Sequence, residues 1–183
     1  LRRQQLQLLR ANSELERWGA ERASQGEQVR RSLDGALGAL ARLAALRNPN
    51  GAGHPTRTTV LARAIAQELG LEADRIEGLG TAALLCDLGM AGVPESILLK
   101  PEALTPAELT LIRTHPQLGA DLAQPLALPW PVDQFISQHH ERLDGSGYPE
   151  GLKGEAIALE ARIISVADVM TALCAARMHR PAM

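Results

Sequence analysis

The apolar residues of this chain recur every three or four positions, and no segment alternates convincingly in twos. Leu61, Ile65 and Leu69 are spaced in fours. Ile76, Leu79, Ala83 and Leu84 continue the pattern, Val132, Phe135, Ile136 and His139 repeat it, and Ile163, Ile164 and Val166 carry it to Asp168. This period lays side chains along one face of an α-helix rather than one face of a strand. Aromatic residues make up only 2% of the chain against 45% apolar residues, so the core has to be assembled from Leu, Ile, Val and Ala. Such a core suits helices better than a β-sandwich, whose strands draw on aromatic and β-branched side chains. The expected fold class is all-α, one helical domain with a helical segment ahead of it.

In that leading segment Leu1, Leu8, Leu15 and Val29 fall on a spacing of sevens, with Ala11 and Trp18 at the complementary positions. Arg22 interrupts the seam, and Gln25 and Gly26 weaken it. Two readings stay open: a short parallel coiled coil joining two copies, or an amphipathic helix packed on its own domain. "RNPNGAGHP", residues 47–55, breaks the helical pattern with two prolines and two glycines. The expected division is therefore a signalling or dimerisation helix over 1–47 and a compact domain over 48–183. Within the domain, Gly70 reads as a helix stop and "TPAE", 105–108, as a capping box with proline at the first helical position. That helix is expected to run to about Thr114 and to be bent or ended by Pro116. A glycine-rich loop, "DGSGYPEGLKG", covers 144–154.

The net charge of −2, with mixed signs, gives no footprint of a nucleic-acid binder. Two cysteines, Cys86 and Cys174, make no disulfide framework and fit a reducing compartment. No apolar run is long enough for a membrane span, and no signal peptide is visible. The first residue is Leu, which implies a start inside a longer protein.

Asp87 and Asp168 lie inside otherwise apolar helical faces, "ALLCDLG" and "IISVADVM". A buried lone carboxylate costs several kcal/mol unless it is paired or bound to a metal. His54, His115, His139 and His140 fall on helices or at their ends. Four imidazoles and two carboxylates suit two borderline first-row ions such as iron, manganese or zinc. A pair of such ions serves phosphoester cleavage, one carboxylate bridging them. Each group also has an ordinary reading: a single helical histidine is more often a core or surface residue than a ligand, and Asp87 before a glycine turn can be only a helix-end acid.

The arrangement "HHERLDGSGYPEGLKGEAI" over 139–157, followed by "ARIISVADVMTAL" over 161–173, resembles the signature of the HD-GYP family of the HD phosphohydrolase superfamily. "GHPTRTTVLA" (53–62), "ESILLKPEALTPAE" (95–108) and "THPQLGA" (114–120) extend the likeness over nearly all of 48–183. The resemblance implies an HD-domain helical bundle, cytoplasmic in its catalytic part, that hydrolyses cyclic di-GMP to pGpG or GMP, usually below a sensor or receiver domain. It implies metal ligands at His54, Asp87, His115, His139, His140 and Asp168, with Asp87 bridging and catalytic. It implies a substrate-facing loop at Gly147, Tyr148 and Pro149, with Arg142 helping to position it; Tyr148 and Arg142 are thus candidate catalytic and substrate-binding residues. It also implies further helices beyond residue 183 and contact with a diguanylate cyclase (GGDEF) partner.

Four positions depart from the family pattern. Cys86 replaces the HD histidine, Met90 replaces the lysine of HD-x-G-K, Asn50 replaces a glutamate found in members with a third metal, and "RMHR" (177–180) places His179 at a usual tyrosine. Asn50 implies two ions rather than three, and the changes at Cys86 and Met90 imply a single ion, or two with one held weakly. Cys86 has two readings: a thiolate ligand, which suits zinc, or a small buried residue filling the hole left by the imidazole. Met90 removes a cation from the same side. The resulting expectation is an impaired phosphodiesterase; the alternative is an inactive relative that binds nucleotide or a protein.

Overall fold

The computed structural model describes residues 2–47 and 53–174, apart from the side chains of 6–11. Leu1, Asn50 and His179 lie outside the described residues. The described residues form eight α-helices and no strand, in agreement with the all-α expectation. They are α1 (Arg2–Leu46), α2 (His54–Glu68), α3 (Ala73–Leu85), α4 (Glu95–Leu98), α5 (Pro106–Ile112), α6 (His115–Ala123), α7 (Val132–Gln138) and α8 (Leu159–Cys174), joined in places by short 3₁₀ turns. None of the helices is long and apolar enough to cross a membrane.

Two compact units divide the chain at Leu37 and Gly38, ten residues before the expected boundary. In the first unit α1 exposes Leu15, Trp18 and Val29. In the second, the tail of α1 buries Ala41 and Ala44, and Arg47 donates from its guanidinium to the carbonyls of Ala91 and Val93. The helical pattern thus reaches into the bundle before the proline- and glycine-rich break.

The bundle is built as the apolar spacing requires. α2 packs on α3 and α8, α3 also meets α7, and α6 packs on α7 and on the 3₁₀ turn Leu88–Gly92. Leu79, Leu85, Ile136 and Ile164 are fully buried in this core. Arg75 ties α3 to α8 through Glu160 at 2.6 Å. Past the end of α2 the Gly70 N–H donates to Gln67 O and the Leu71 N–H to Ala66 O, both at 3.0 Å, with Gly70 at φ +72°. This is a Schellman stop, as Gly70 suggested. The capping box also forms: Thr105 Oγ accepts from Glu108 N–H at 3.3 Å, and Glu108 accepts from Thr105 N–H at 2.7 Å.

The expectation for Pro116 needs correction. α5 stops at Ile112, and Pro116 stands in the first turn of α6, which begins at His115. A proline lacks only an N–H that has no intrahelical partner in a first turn, so it opens a helix as readily as it ends one. The consequence is functional, because it makes His115 a helix-start residue.

Candidate metal centre

Five of the six candidate ligands sit at a helix end, and the sixth, Asp168, lies inside a helix. His54 is the first residue of α2, and Asp87 follows the C-terminal cap of α3. His115 starts α6, His139 caps α7 with His140 next, and Asp168 lies in α8. The bundle brings all six together. His54 Nε2 lies 2.6 Å from Asp168 Oδ1 and 3.9 Å from Asp87 Oδ2, while Asp87 Oδ1 lies 3.6 Å from His115 Nε2. The rings of His115, His139 and His140 pack with centroids 4.1–5.2 Å apart. Their ligand atoms form two triplets, His115–His139–His140 and His54–Asp87–Asp168. Asp87 turns one oxygen to each.

The donor chemistry of the histidine triplet fits a cation. His115 Nδ1 lies 2.8 Å from Ile112 O and His139 Nδ1 lies 2.6 Å from Ile136 O. A carbonyl can only accept, so each Nδ1 carries the proton and each Nε2 keeps its lone pair. These two Nε2 atoms face each other at 3.3 Å with both residues buried. Two lone pairs in that position repel unless a positive charge lies between or beside them. Burial holds the pKa of His115 below the ordinary imidazole value, and burial with the neighbouring His139 and His115 pushes His140 down to about 2. His115 and His140 are therefore neutral imidazoles at neutral pH. Burial raises the pKa of Asp168, but its hydrogen bond and ion pair with His54 outweigh this and keep it ionised.

The spacing of the two triplets rests on a backbone contact. A Cβ at Gly89 would come within 2.0 Å of His115 O and 2.6 Å of Gly119 N, so only glycine lets the turn after Asp87 press on α6.

The glycine-rich loop is closed onto the centre. Tyr148 stacks on His140 with centroids 4.9 Å apart and planes at 26°, and the Tyr148 N–H donates to His140 O at 3.2 Å. The Tyr148–Pro149 peptide is cis. Glu141, 4% exposed, was not singled out from the sequence, yet it organises this loop. Its carboxylate accepts from the N–H groups of Glu150, Gly151 and Leu152 at 2.7, 3.1 and 3.0 Å. The available signal was an acid directly after the paired histidines and before a run of glycines. Gly147 is held against the same strut, since a Cβ there would lie 2.4 Å from Arg142 N.

Comparison with known proteins follows the same lines. The family model for the HD domain matches residues 38–183. The chain belongs to the HD-domain family. It is of the HD-GYP type. The cyclic di-GMP phosphodiesterase response regulator RpfG of Xanthomonas campestris is 40% identical over 153 residues, 80% of this chain and 39% of that protein. The 3'3'-cGAMP-specific phosphodiesterase 3 of Vibrio cholerae is 41% identical over 138 residues, 75% of this chain and 30% of its own length. Among solved structures, Bd1817, an HD-GYP protein from Bdellovibrio bacteriovorus, superimposes with a TM-score of 0.58 at 30% identity, covering 66% of this chain and 40% of that one. The chain thus spans about two fifths or less of the length of these relatives.

Against the HD-GYP pattern, the departures take physical form. Cys86 is 1% exposed, and its thiol donates to Ala83 O at 3.3 Å. Burial first, then the charges of Asp87 and Asp168, push its pKa up, so the free side chain is a neutral thiol. Its sulfur groups with Asp87 and His139 rather than with His54 and Asp168. Met90 is half-buried and lines a cavity of about 20 Å³ with Ala41, Ala44, Pro55, Leu84, Asp87 and Leu88. The lysine position has become part of a largely apolar niche under the tail of α1. Arg142 lines a separate groove with Leu143, Ile157 and Val166, and its charge acts on Asp144.

Proposed function

We propose that this HD-GYP chain is the catalytic part of a metal-dependent phosphodiesterase that opens cyclic di-GMP to pGpG or GMP in bacterial second-messenger signalling, impaired by Cys86 and Met90. The observation that supports it most is Asp87 shared between two ligand triplets, beside a GYP loop stacked on His140. In this reading His115, His139, His140 and Asp87 hold one divalent ion. His54, Asp87 and Asp168 hold a second less firmly. Iron, manganese and zinc all suit such a set. When bound, such ions supply Lewis-acid charge to phosphoryl oxygens and make water more acidic.

The chain's own residues do the rest. The carbonyls of Ile112 and Ile136 fix the ligand tautomers. Gly147, Tyr148 and Pro149 face the substrate. The Tyr148 hydroxyl, its pKa pushed up to about 12 mainly by burial, stays protonated and can donate a hydrogen bond to a phosphate or ribose oxygen. RpfG, by name, acts on cyclic di-GMP and the Vibrio relative on 3'3'-cGAMP, so both dinucleotides belong in the assay. Metal content per chain is measured beside product formation from each. A chain that holds its metal yet neither binds nor cleaves either dinucleotide sinks the proposal.

A second reading rests on Cys86 and Met90: a silent domain that keeps the loop for binding nucleotide or a protein such as a diguanylate cyclase (GGDEF) domain. Turnover at zero with intact nucleotide binding would select it. A cytoplasmic location and pairing of two copies through α1 complete the picture. Leu15, Trp18 and Val29, exposed in the single copy, support the pairing. Sedimentation is expected to show a dimer that becomes a monomer when residues 1–37 are deleted; a monomer in both cases at high micromolar concentration removes the idea.

A further inference from the structure

Arg113 stands two residues before the ligand His115, as the C-terminal cap of α5. Its backbone is fixed there by an N–H bond to Leu109 O at 2.9 Å. Its guanidinium carbon lies 5.4 Å from the centroid of the Tyr148 ring. Tyr148 in turn stacks on His140, and its phenol feels the positive charge of Arg113 together with the negative charges of Asp168 and Asp87. Tyr148 therefore has an exposed cation beside its ring and feels the acids of the centre as well. Among the described residues no carboxylate comes within 4 Å of Arg113. An arginine kept beside an aromatic ring and left without an acid has its planar donor fork available.

Two further facts sharpen this. Met90 leaves that side of the centre without the family's lysine, and the niche around Met90 holds no cation: Asp87 is its one charged residue. Arg142, the cation that the sequence suggested for the loop, lines a different groove and acts on Asp144. On the Tyr148 side the charge comes from Arg113.

We infer that Arg113 is a substrate-positioning residue of this chain: its guanidinium takes a non-bridging phosphate oxygen of the cyclic dinucleotide where the substrate passes Tyr148. The inference rests on the phosphodiesterase reading above. A guanidinium–phosphate pair is charge-assisted and can be bidentate, so its removal weakens binding by about ten-fold or more. Arg113 is exposed, which makes its substitution safe for the fold.

The test is calorimetric binding of cyclic di-GMP to the metal-containing chain, compared with Arg113→Ala, Arg113→Lys and Arg142→Ala, with metal content and a thermal melt on each. Arg113→Ala is expected to lose about ten-fold or more in affinity at unchanged metal content and melting temperature. Arg113→Lys, which keeps charge but not the fork, should lose less. The loss should shrink as salt is raised, because an exposed charge pair is screened. Arg142→Ala should cost less than Arg113→Ala. Parent-like binding by Arg113→Ala, or a larger loss at Arg142→Ala, overturns the assignment and leaves the phosphodiesterase reading standing. A parent chain that binds no cyclic di-GMP overturns both.

Discussion

The two halves of the metal centre solve the same problem in opposite ways. His115 and His139 each bond a carbonyl three residues back, in their own segment, so their Nε2 lone pairs are fixed and turned toward one another. His54 and Asp168 instead satisfy each other at 2.6 Å. The first half is left with two facing lone pairs unless a cation joins them; in the second, His54 and Asp168 already occupy one another. An ion entering the first half relieves a repulsion, whereas an ion entering the second must displace the close contact between His54 and Asp168. Cys86, whose sulfur groups with Asp87 and His139, stands where the two halves meet at the shared carboxylate. Unequal occupancy is the outcome this pairing pattern predicts.

The sharpest break of this comparison comes from removing one ligand on each side. His139→Ala should lower affinity for the firmly held ion by more than about 100-fold, since even partners one bond further out are worth 10–100-fold. His54→Ala should leave that ion in place. Equilibrium dialysis with zinc or manganese reads both, and equal losses would erase the asymmetry.

Next in size is the loop that leans on the histidine half. Glu141→Gln replaces a carboxylate that accepts three N–H groups and should cost about 1.5–3 kcal/mol of stability. It should also raise KM while leaving metal content near the parent value. A denaturant melt and initial rates check this; a variant that loses metal but keeps its melt would show that Glu141 serves the ligands and not the loop.

A smaller effect is expected where the two halves meet. Cys86→His with Met90→Lys should raise the initial rate on cyclic di-GMP about ten-fold or more, and by more than either change alone, because both act on one ion and do not add simply. If the parent is already fully active with two tightly held ions and the double change slows it, Cys86 is a working ligand.

The helices were legible because their apolar spacing and stops are local: Gly70 and the Thr105–Glu108 box appear as read. The six candidate ligands were legible because they sit within quotable blocks, and the bundle gathers all of them. What escaped depends on where the backbone turns. Pro116 opens a helix because α5 had already stopped at Ile112, a boundary no proline rule fixes. Arg142 and Arg113 look alike in a sequence, but the path of the loop sends one toward Asp144 and the turn before α6 sets the other beside Tyr148. Glu141 was missed because its three partners are main-chain groups, which carry no residue-type signal.

The contact of Gly89 with His115 O and Gly119 N has one more implication, for how the site can be altered. The gauge between the two halves is written in main chain. A scaffold held that way tolerates exchange of the side chains around it and still keeps the seat. Changes at Cys86 and Met90 leave the main-chain gauge as it is, so a double substitution there tests the site without refolding the domain.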